Sequence, residues 1–182
     1  AYQPGHRSVR NFKLKRDYLE GQVDTFDLIP VGAYWGRGKR AGMFGAFLLA
    51  SVGENGALEA ICKLGSGFSD ADVHSFTEAF NARGLCRDAP PPELDLGAIP
   101  GPRQPDVWLE PKEVWEVLAA EISDSPTYPA ARGIVQGGKR GVALRFPRFI
   151  RARTDKVAAD ATRSAVVADV YCQQTQQQQP AG

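Results

Sequence analysis

The sequence predicts a mainly β fold: a small barrel with one helix inserted in it and a second helix near the C-terminal end. Short apolar runs rich in Phe, Leu, Ile, Val, Tyr and Trp are separated by glycine-bearing turns, the patterning of strands. Ser69-Asp-Ala-Asp72 interrupts that pattern with a helix N-cap and acids in the first turn.

The elements follow in order. Asn11–Lys15 alternates, with Phe12 and Leu14 on one side and Lys13 and Lys15 together on the other, as period two requires. Asp24–Trp35 reads as a long apolar strand. A glycine-broken basic turn, Gly36–Gly42, separates it from a second strand, Met43–Val52. Gly53-Glu-Asn-Gly56 is a turn, so Ala57–Leu64 returns as a third strand. The helix capped by Ser69 runs to about Arg83, and Asp88–Pro105, with its Pro-Pro-Pro, is a loop. Val107–Leu109, Val114–Ile122 and Gly141–Phe146 are strands, the last leading into a basic stretch. Ala161–Tyr171 is the terminal helix, and Gln173–Gly182 is low-complexity and expected to fray. Three strands, a helix, a long loop and further strands are the order of an OB-fold. That fold is a five-stranded Greek-key barrel, here with its helix between strands three and four.

With 182 residues, 43% apolar and 24% charged, the chain can build one domain with a proper core. Wholesale disorder is excluded. No apolar run approaches the roughly 18 residues needed to span a bilayer. Residues 1–7 lack the apolar centre of a signal peptide, and without an initiator Met the chain is expected to be a piece of a longer one. Cys62, Cys86 and Cys172 are far apart and odd in number. They point to a reducing compartment and offer neither a disulfide framework nor a zinc pattern.

A near-neutral total conceals two basic ends and an acidic middle. Residues 1–16 hold five bases and no acid, and residues 132–156 hold eight bases against Asp155 alone. Residues 66–126 hold twelve acids against Arg83, Arg87, Arg103 and Lys112. The basic blocks also carry Phe12, Phe146 and Phe149, an interleaving that suits a polyanion groove better than a solvated tail.

Most catalytic motifs are absent. Gly36-Arg-Gly38-Lys-Arg-Ala41 matches the dinucleotide fingerprint in letters, but that mechanism needs a helix starting at the glycines. The run that follows, from Met43, is strand-like, so a basic hairpin is the better account. Its glycines supply positive φ while Arg37, Lys39 and Arg40 reach outward to phosphates. His6 and His74 have no metal-spaced partners, and no Gly-x-Ser-x-Gly elbow is present.

Several blocks together resemble the ATP-dependent DNA ligases, of the DNA ligase I type. Tyr2-Gln-Pro with Arg7-Ser8, then Lys13-Leu-Lys15-Arg-Asp17-Tyr18-Leu19, is similar to the fifth nucleotidyltransferase motif. Asp24–Gly42, Ile61–Asp70, Val114–Val117 and Ser125–Gly133 resemble successive parts of that family's barrel. Leu144-Arg-Phe-Pro-Arg-Phe-Ile-Arg151-Ala-Arg-Thr-Asp-Lys156 resembles its sixth motif. Asn11-Phe12 departs from the Trp-Leu that often precedes Lys-x-Lys, which weakens the carry-over of packing there and leaves the lysines intact.

The resemblance implies that residues 1–16 end the adenylation domain, 17–171 form the OB-fold domain and 172–182 form a Gln-rich disordered tail. It implies a nuclear enzyme sealing nicks in duplex DNA during replication and repair, an organellar pool staying open. ATP would donate AMP, with Mg2+, both held mainly by an adenylation domain outside this chain. The partners implied are nicked duplex DNA, the adenylation and DNA-binding domains of the full-length ligase, and a sliding clamp reached through other regions, with no membrane. Lys-x-Asp-Gly, which supplies the family's nucleophilic lysine, is absent from this sequence, so this piece alone should be inactive. Lys13 and Lys15 would contact the α-phosphate. Arg153, Asp155 and Lys156 match the family's Arg-x-Asp-Lys ending and would orient the leaving pyrophosphate. Arg37, Lys39, Arg40, Arg145, Phe146 and Arg148 would form the DNA face, reading groove shape rather than base sequence. Two other readings stay open from the residues: a free-standing OB-type single-strand binder, with stacking aromatics, and part of an RNA ligase or capping nucleotidyltransferase.

Overall fold

A 12-residue strand, β1 (Asp24–Trp35), is the spine of the molecule, and its two edges serve different neighbours. The computed structural model describes residues 24–135 and 138–178. β2 (Phe44–Val52) and β3 (Leu58–Leu64) follow as an antiparallel meander on β1. Helix α1 (Asp70–Ala82) comes next, then two short strands, β4 (Cys86–Arg87) and β5 (Leu94–Asp95). β6 (Val107–Leu109), β7 (Trp115–Ala119), β8 (Glu121–Ser125), β9 (Gly141–Arg145) and β10 (Arg148–Ala152) complete the β structure, and α2 (Ser164–Gln178) ends it. The main sheet runs β10-β7-β1-β2-β3-β5, with β6 on β1 and β4 on β6, while β8 pairs with β9. The sheet curls into a half-barrel, the mainly β architecture with two helices that the sequence predicts.

The central strands are continuously apolar because both of their faces are buried. Leu28 and Ala33 of β1, Phe44, Phe47 and Leu49 of β2, and Ile61 and Leu64 of β3 enter one core. Ile29 and Val31, Leu48, Ala50 and Val52, and Leu58 and Ala60 enter a second. The segment expected to be a plain loop, residues 88–105, covers this second face with Ile99, Leu94 and Leu96. A strand buried on both faces reads as an apolar run rather than an alternation. Gly32 permits the cover to close, since a Cβ there would collide with the Pro105 ring.

The first core centres on Trp115, which is fully buried. Its ring meets Phe47 edge-on at 4.8 Å and Phe149 at 5.4 Å, while Phe68 and Phe149 stack at 4.7 Å. Edge-to-face contacts of this kind add about 0.5–1.5 kcal/mol each beyond area burial. Phe149 is therefore a core residue, and of the aromatics in the second basic block only Phe146 faces outward.

Helix α1 starts where the sequence places it. The Ser69 hydroxyl accepts from the Asp72 amide, and the Asp72 carboxylate accepts from the Ser69 amide, both at 3.0 Å. This capping box satisfies two otherwise unpaired donors. Thr77 Oγ1 accepts the Phe44 amide at 3.0 Å and fastens the helix to β2. Helix α2 begins at Ser164, whose hydroxyl lies 2.7 Å from that of Ser51 in a buried contact, and extends beyond Tyr171 to Gln178. The Gln174 amide explains part of that extension. It accepts the Ile122 N–H at 3.0 Å and donates to the Ile122 carbonyl at 2.8 Å, standing in for a neighbouring strand beside β8.

Candidate functional site

Three groups of polar side chains stand out, each positioned by a different part of the sheet. The first surrounds Asp27. Its backbone is clamped by Thr162: the Asp27 amide donates to Thr162 Oγ1 at 2.9 Å and its carbonyl accepts the Thr162 amide at 2.8 Å. β10 runs out at Ala152, and the Arg153 amide donates to the Val114 carbonyl at 2.7 Å. A turn follows in which the Lys156 amide reaches the Arg153 carbonyl. Both side chains thereby converge on Asp27, Lys156 Nζ at 2.6 Å and Arg153 Nη1 at 3.3 Å. Arg153 also grips Asp155 through Nε at 3.0 Å and Nη2 at 2.9 Å.

The two-bond grip of Arg153 holds the Asp155 carboxyl down at about 2, and the same bonds push the guanidinium further above its already high value. Asp27 and the Arg153 side chain are only 15% and 17% exposed. The group is thus a preassembled set of two cations and two carboxylates, balanced in charge. An incoming phosphate would have to take over bonds that the carboxylates now hold.

The second group is the hairpin between β1 and β2. The Gly36 amide donates to the Met43 carbonyl at 2.7 Å, and a 3-10 turn spans Gly38–Arg40. Gly38 and Gly42 have φ of 59° and 82°, the positive values expected of such a turn. Arg37 and Lys39 are exposed. Arg40 is not free to reach outward: its Nη2 donates to the Phe68 carbonyl at 3.2 Å and contacts Asp70 at 3.4 Å. Its main contact ties the hairpin to the start of α1.

The third group lies between β9 and β10, where the chain passes from the β8 edge to the β7 edge. Phe146 sits at this step with φ of +55° and is 66% exposed. The Arg145 guanidinium lies 5.2 Å over its ring and 3.6 Å from Glu121. A left-handed conformation costs a non-glycine residue about 1–2 kcal/mol. Arg148 lies apart from this pair, against Gly67, Phe68 and Ser69.

Of the residues singled out from the sequence, the fold gathers Arg153, Asp155 and Lys156 into one cluster and Arg37 and Lys39 into another. Lys13 and Lys15, with the strand expected at Asn11–Lys15, lie outside the described residues. His74 contacts Glu78 at 3.2 Å on the surface of α1. Among the described residues, no group of His, Cys, Asp and Glu is arranged to hold a metal ion. Asp27 is the residue that sequence reasoning missed. Its only signal is an acid inside an apolar strand, and its partner Arg153 stands 126 residues away.

The family model for the C-terminal region of ATP-dependent DNA ligases matches residues 40–156. DNA ligase 1 of Dictyostelium discoideum is 44% identical over 180 residues, covering 93% of this chain and 14% of that protein. DNA ligase 1 of Schizosaccharomyces pombe is 46% identical over 174 residues, covering 93% of this chain and 22% of that protein. The ligase domain of LigD from M. tuberculosis shares the fold, with a TM-score of 0.58 at 20% identity over 78% of this chain and 39% of that one. The chain thus spans less than a quarter of the length of the two ligase relatives. With more than half of its residues matched by that model, the chain belongs to the ATP-dependent DNA ligase family, as a C-terminal region of that kind.

Proposed function

We propose that this chain is the OB-fold part of an enzyme that seals nicks in duplex DNA with ATP. It would serve two steps in turn: orienting ATP for self-adenylation, then gripping the DNA at the nick. The observation that carries the reading is the gathering of Arg153 and Lys156 on Asp27, with Asp155 on the other side of Arg153, on a part of the fold separate from the exposed hairpin cations.

In the first step a lysine outside this chain attacks the α-phosphate of ATP, and pyrophosphate leaves with its negative charge. Lys156 and Arg153 supply the opposing charge. Asp27 and Asp155 hold both side chains in place beforehand and yield bonds to the phosphate as it arrives. Lys13 and Lys15 are proposed to touch the α-phosphate. A divalent ion supplies further charge neutralisation when bound, and no carboxylate cluster among the described residues is assigned to it.

In the second step Arg37 and Lys39 grip phosphates, while Arg145 and Phe146 approach the minor groove. The positive φ and the exposure of Phe146 support this, because strained conformations gather at ligand-contacting positions. The inward packing of the other phenylalanines among the described residues disfavours a single-strand binder, which needs several exposed stacking platforms.

The full-length protein, given ATP and a nicked duplex, should release one AMP and one pyrophosphate for each phosphodiester formed. Sealing should be lost when residues 24–178 are deleted. Product formation without ATP, or undiminished sealing by the deletion variant, would refute the reading.

A further inference from the structure

A cleft of about 370 Å3 opens beside the basic hairpin, between the end of β1, the end of β3 and the segment that precedes β6. Arg37, Lys63 and Arg103 line it, together with Tyr34, Trp35 and Asp106. The three cations differ from eight others among the described residues. Arg40, Arg83, Arg87, Arg140, Arg145, Arg151, Arg153 and Lys156 all contact carboxylates. Arg37, Lys63 and Arg103 contact none among the described residues. Asp106 is the one acid lining the cleft, and its carboxylate already accepts the Trp35 amide at 3.0 Å.

The aromatic walls fit the same purpose. Tyr34 donates its hydroxyl to the Arg103 carbonyl at 2.9 Å, which fixes both the ring and the Arg103 backbone. Lys63 Nζ lies 4.2 Å over that ring, held at the cleft by the ring face rather than by a counter-charge. Burial pushes the Tyr34 phenol well above its ordinary value, so no phenolate competes for the cations. Trp35 is 47% exposed and presents an apolar plane at the rim. Unpaired cations and a flat apolar face suit a sugar-phosphate backbone.

We propose that this cleft is a phosphate-binding site that extends the DNA track beyond the hairpin, with Arg37 shared between the two and Lys63 and Arg103 holding phosphates of the same strand. The proposal rests on the reading of the hairpin as a DNA contact. Continuity through Arg37 is what selects duplex DNA as the occupant.

The test measures the affinity of the full-length protein for a nicked duplex with a dideoxy 3′ end, across a range of salt concentrations. Lys63→Gln with Arg103→Gln should make the slope of log affinity against log salt shallower by about 0.9 for each phosphate no longer neutralised. Arg37→Gln with Lys39→Gln forms the hairpin arm, and Lys112→Gln, an exposed base in another cleft, should leave the slope unchanged. A shallower slope in the hairpin arm alone would overturn the cleft proposal and keep the hairpin reading, leaving the cleft to another polyanion such as an acidic peptide. A shallower slope in the cleft arm alone would overturn the shared track, since Arg37 would then hold no phosphate, and would remove the hairpin reading with it. Unchanged slopes in both would overturn both. All of these side chains are exposed at least in part, and a matching melting temperature confirms that each variant folds.

Discussion

Arg153 and Asp155 sit two residues apart and would pair in many turns, but Asp27 turns that pair into a directed arrangement. Its carboxylate receives Lys156 and the remaining face of Arg153, so both cations are held in place from the β1 side. The grip on Asp155 has a pH signature. Its carboxyl stands at about 2 in the folded chain, against about 3.9 for a free aspartate. A lowered native value means that the interaction contributes stability above about pH 4 and loses it as pH falls through about 2. Carboxyl-carbon NMR should therefore find Asp155 ionised down to about pH 2. In an Arg153→Gln variant its midpoint should climb back toward the ordinary range. A midpoint already ordinary in the parent chain would mean that the two-bond grip does not persist in solution.

At the scale of elements, contacts between distant segments decide what local sequence cannot. β1 has the bounds its sequence predicts, and Ser69 caps α1 as expected, because apolar patterning and capping are written into neighbouring residues. β6 also follows its sequence reading, Val107–Leu109. β10 was legible only as a basic stretch, since Arg148 and Arg151 obscure the inward-facing Phe149 and the strand shifts register between them. The cover over the second core was equally hidden: Ile99 looks like one apolar residue in a proline-rich loop until β1 and β2 offer it a surface. Helix α2 outlasts its apolar pattern because Gln174 pairs with the backbone of Ile122, 52 residues away. Gln174→Ala should cost about 1–2 kcal/mol, because one part-buried donor and one acceptor are left without partners. Amide hydrogen exchange should rise at Ile122 and in the last turns of α2, with the β1–β2 ladder unaffected. Unchanged exchange at Ile122 would show that water replaces the glutamine at no cost.

Across the described residues, the charges divide into paired and unpaired groups. The acids of the middle segment pair with many of the bases, which is why a nearly neutral chain can still leave a few cations unpaired at the hairpin and the cleft beside it. The cluster on Asp27 is balanced, and the hairpin is not. The sequence disclosed the two basic blocks and the motif-bearing residues, whereas the fold alone disclosed which bases are already neutralised, Arg40 among them. We propose that the cluster on Asp27 serves one step and the DNA-facing groups, Arg145 and Phe146 together with the hairpin, the other, and single-turnover rates on the full-length protein test that division most directly. Replacing Arg153 and Lys156 should slow formation of the enzyme-AMP adduct from ATP by roughly 30- to 1,000-fold, the effect of losing about 2–4 kcal/mol of barrier stabilisation. Sealing of a nick that already carries AMP should be largely spared. Replacing Arg145 and Phe146 should give the reverse: adduct formation kept and sealing of the adenylated nick slowed. Equal losses at both steps for both pairs would contradict the division of labour and point instead to damaged folding or domain docking.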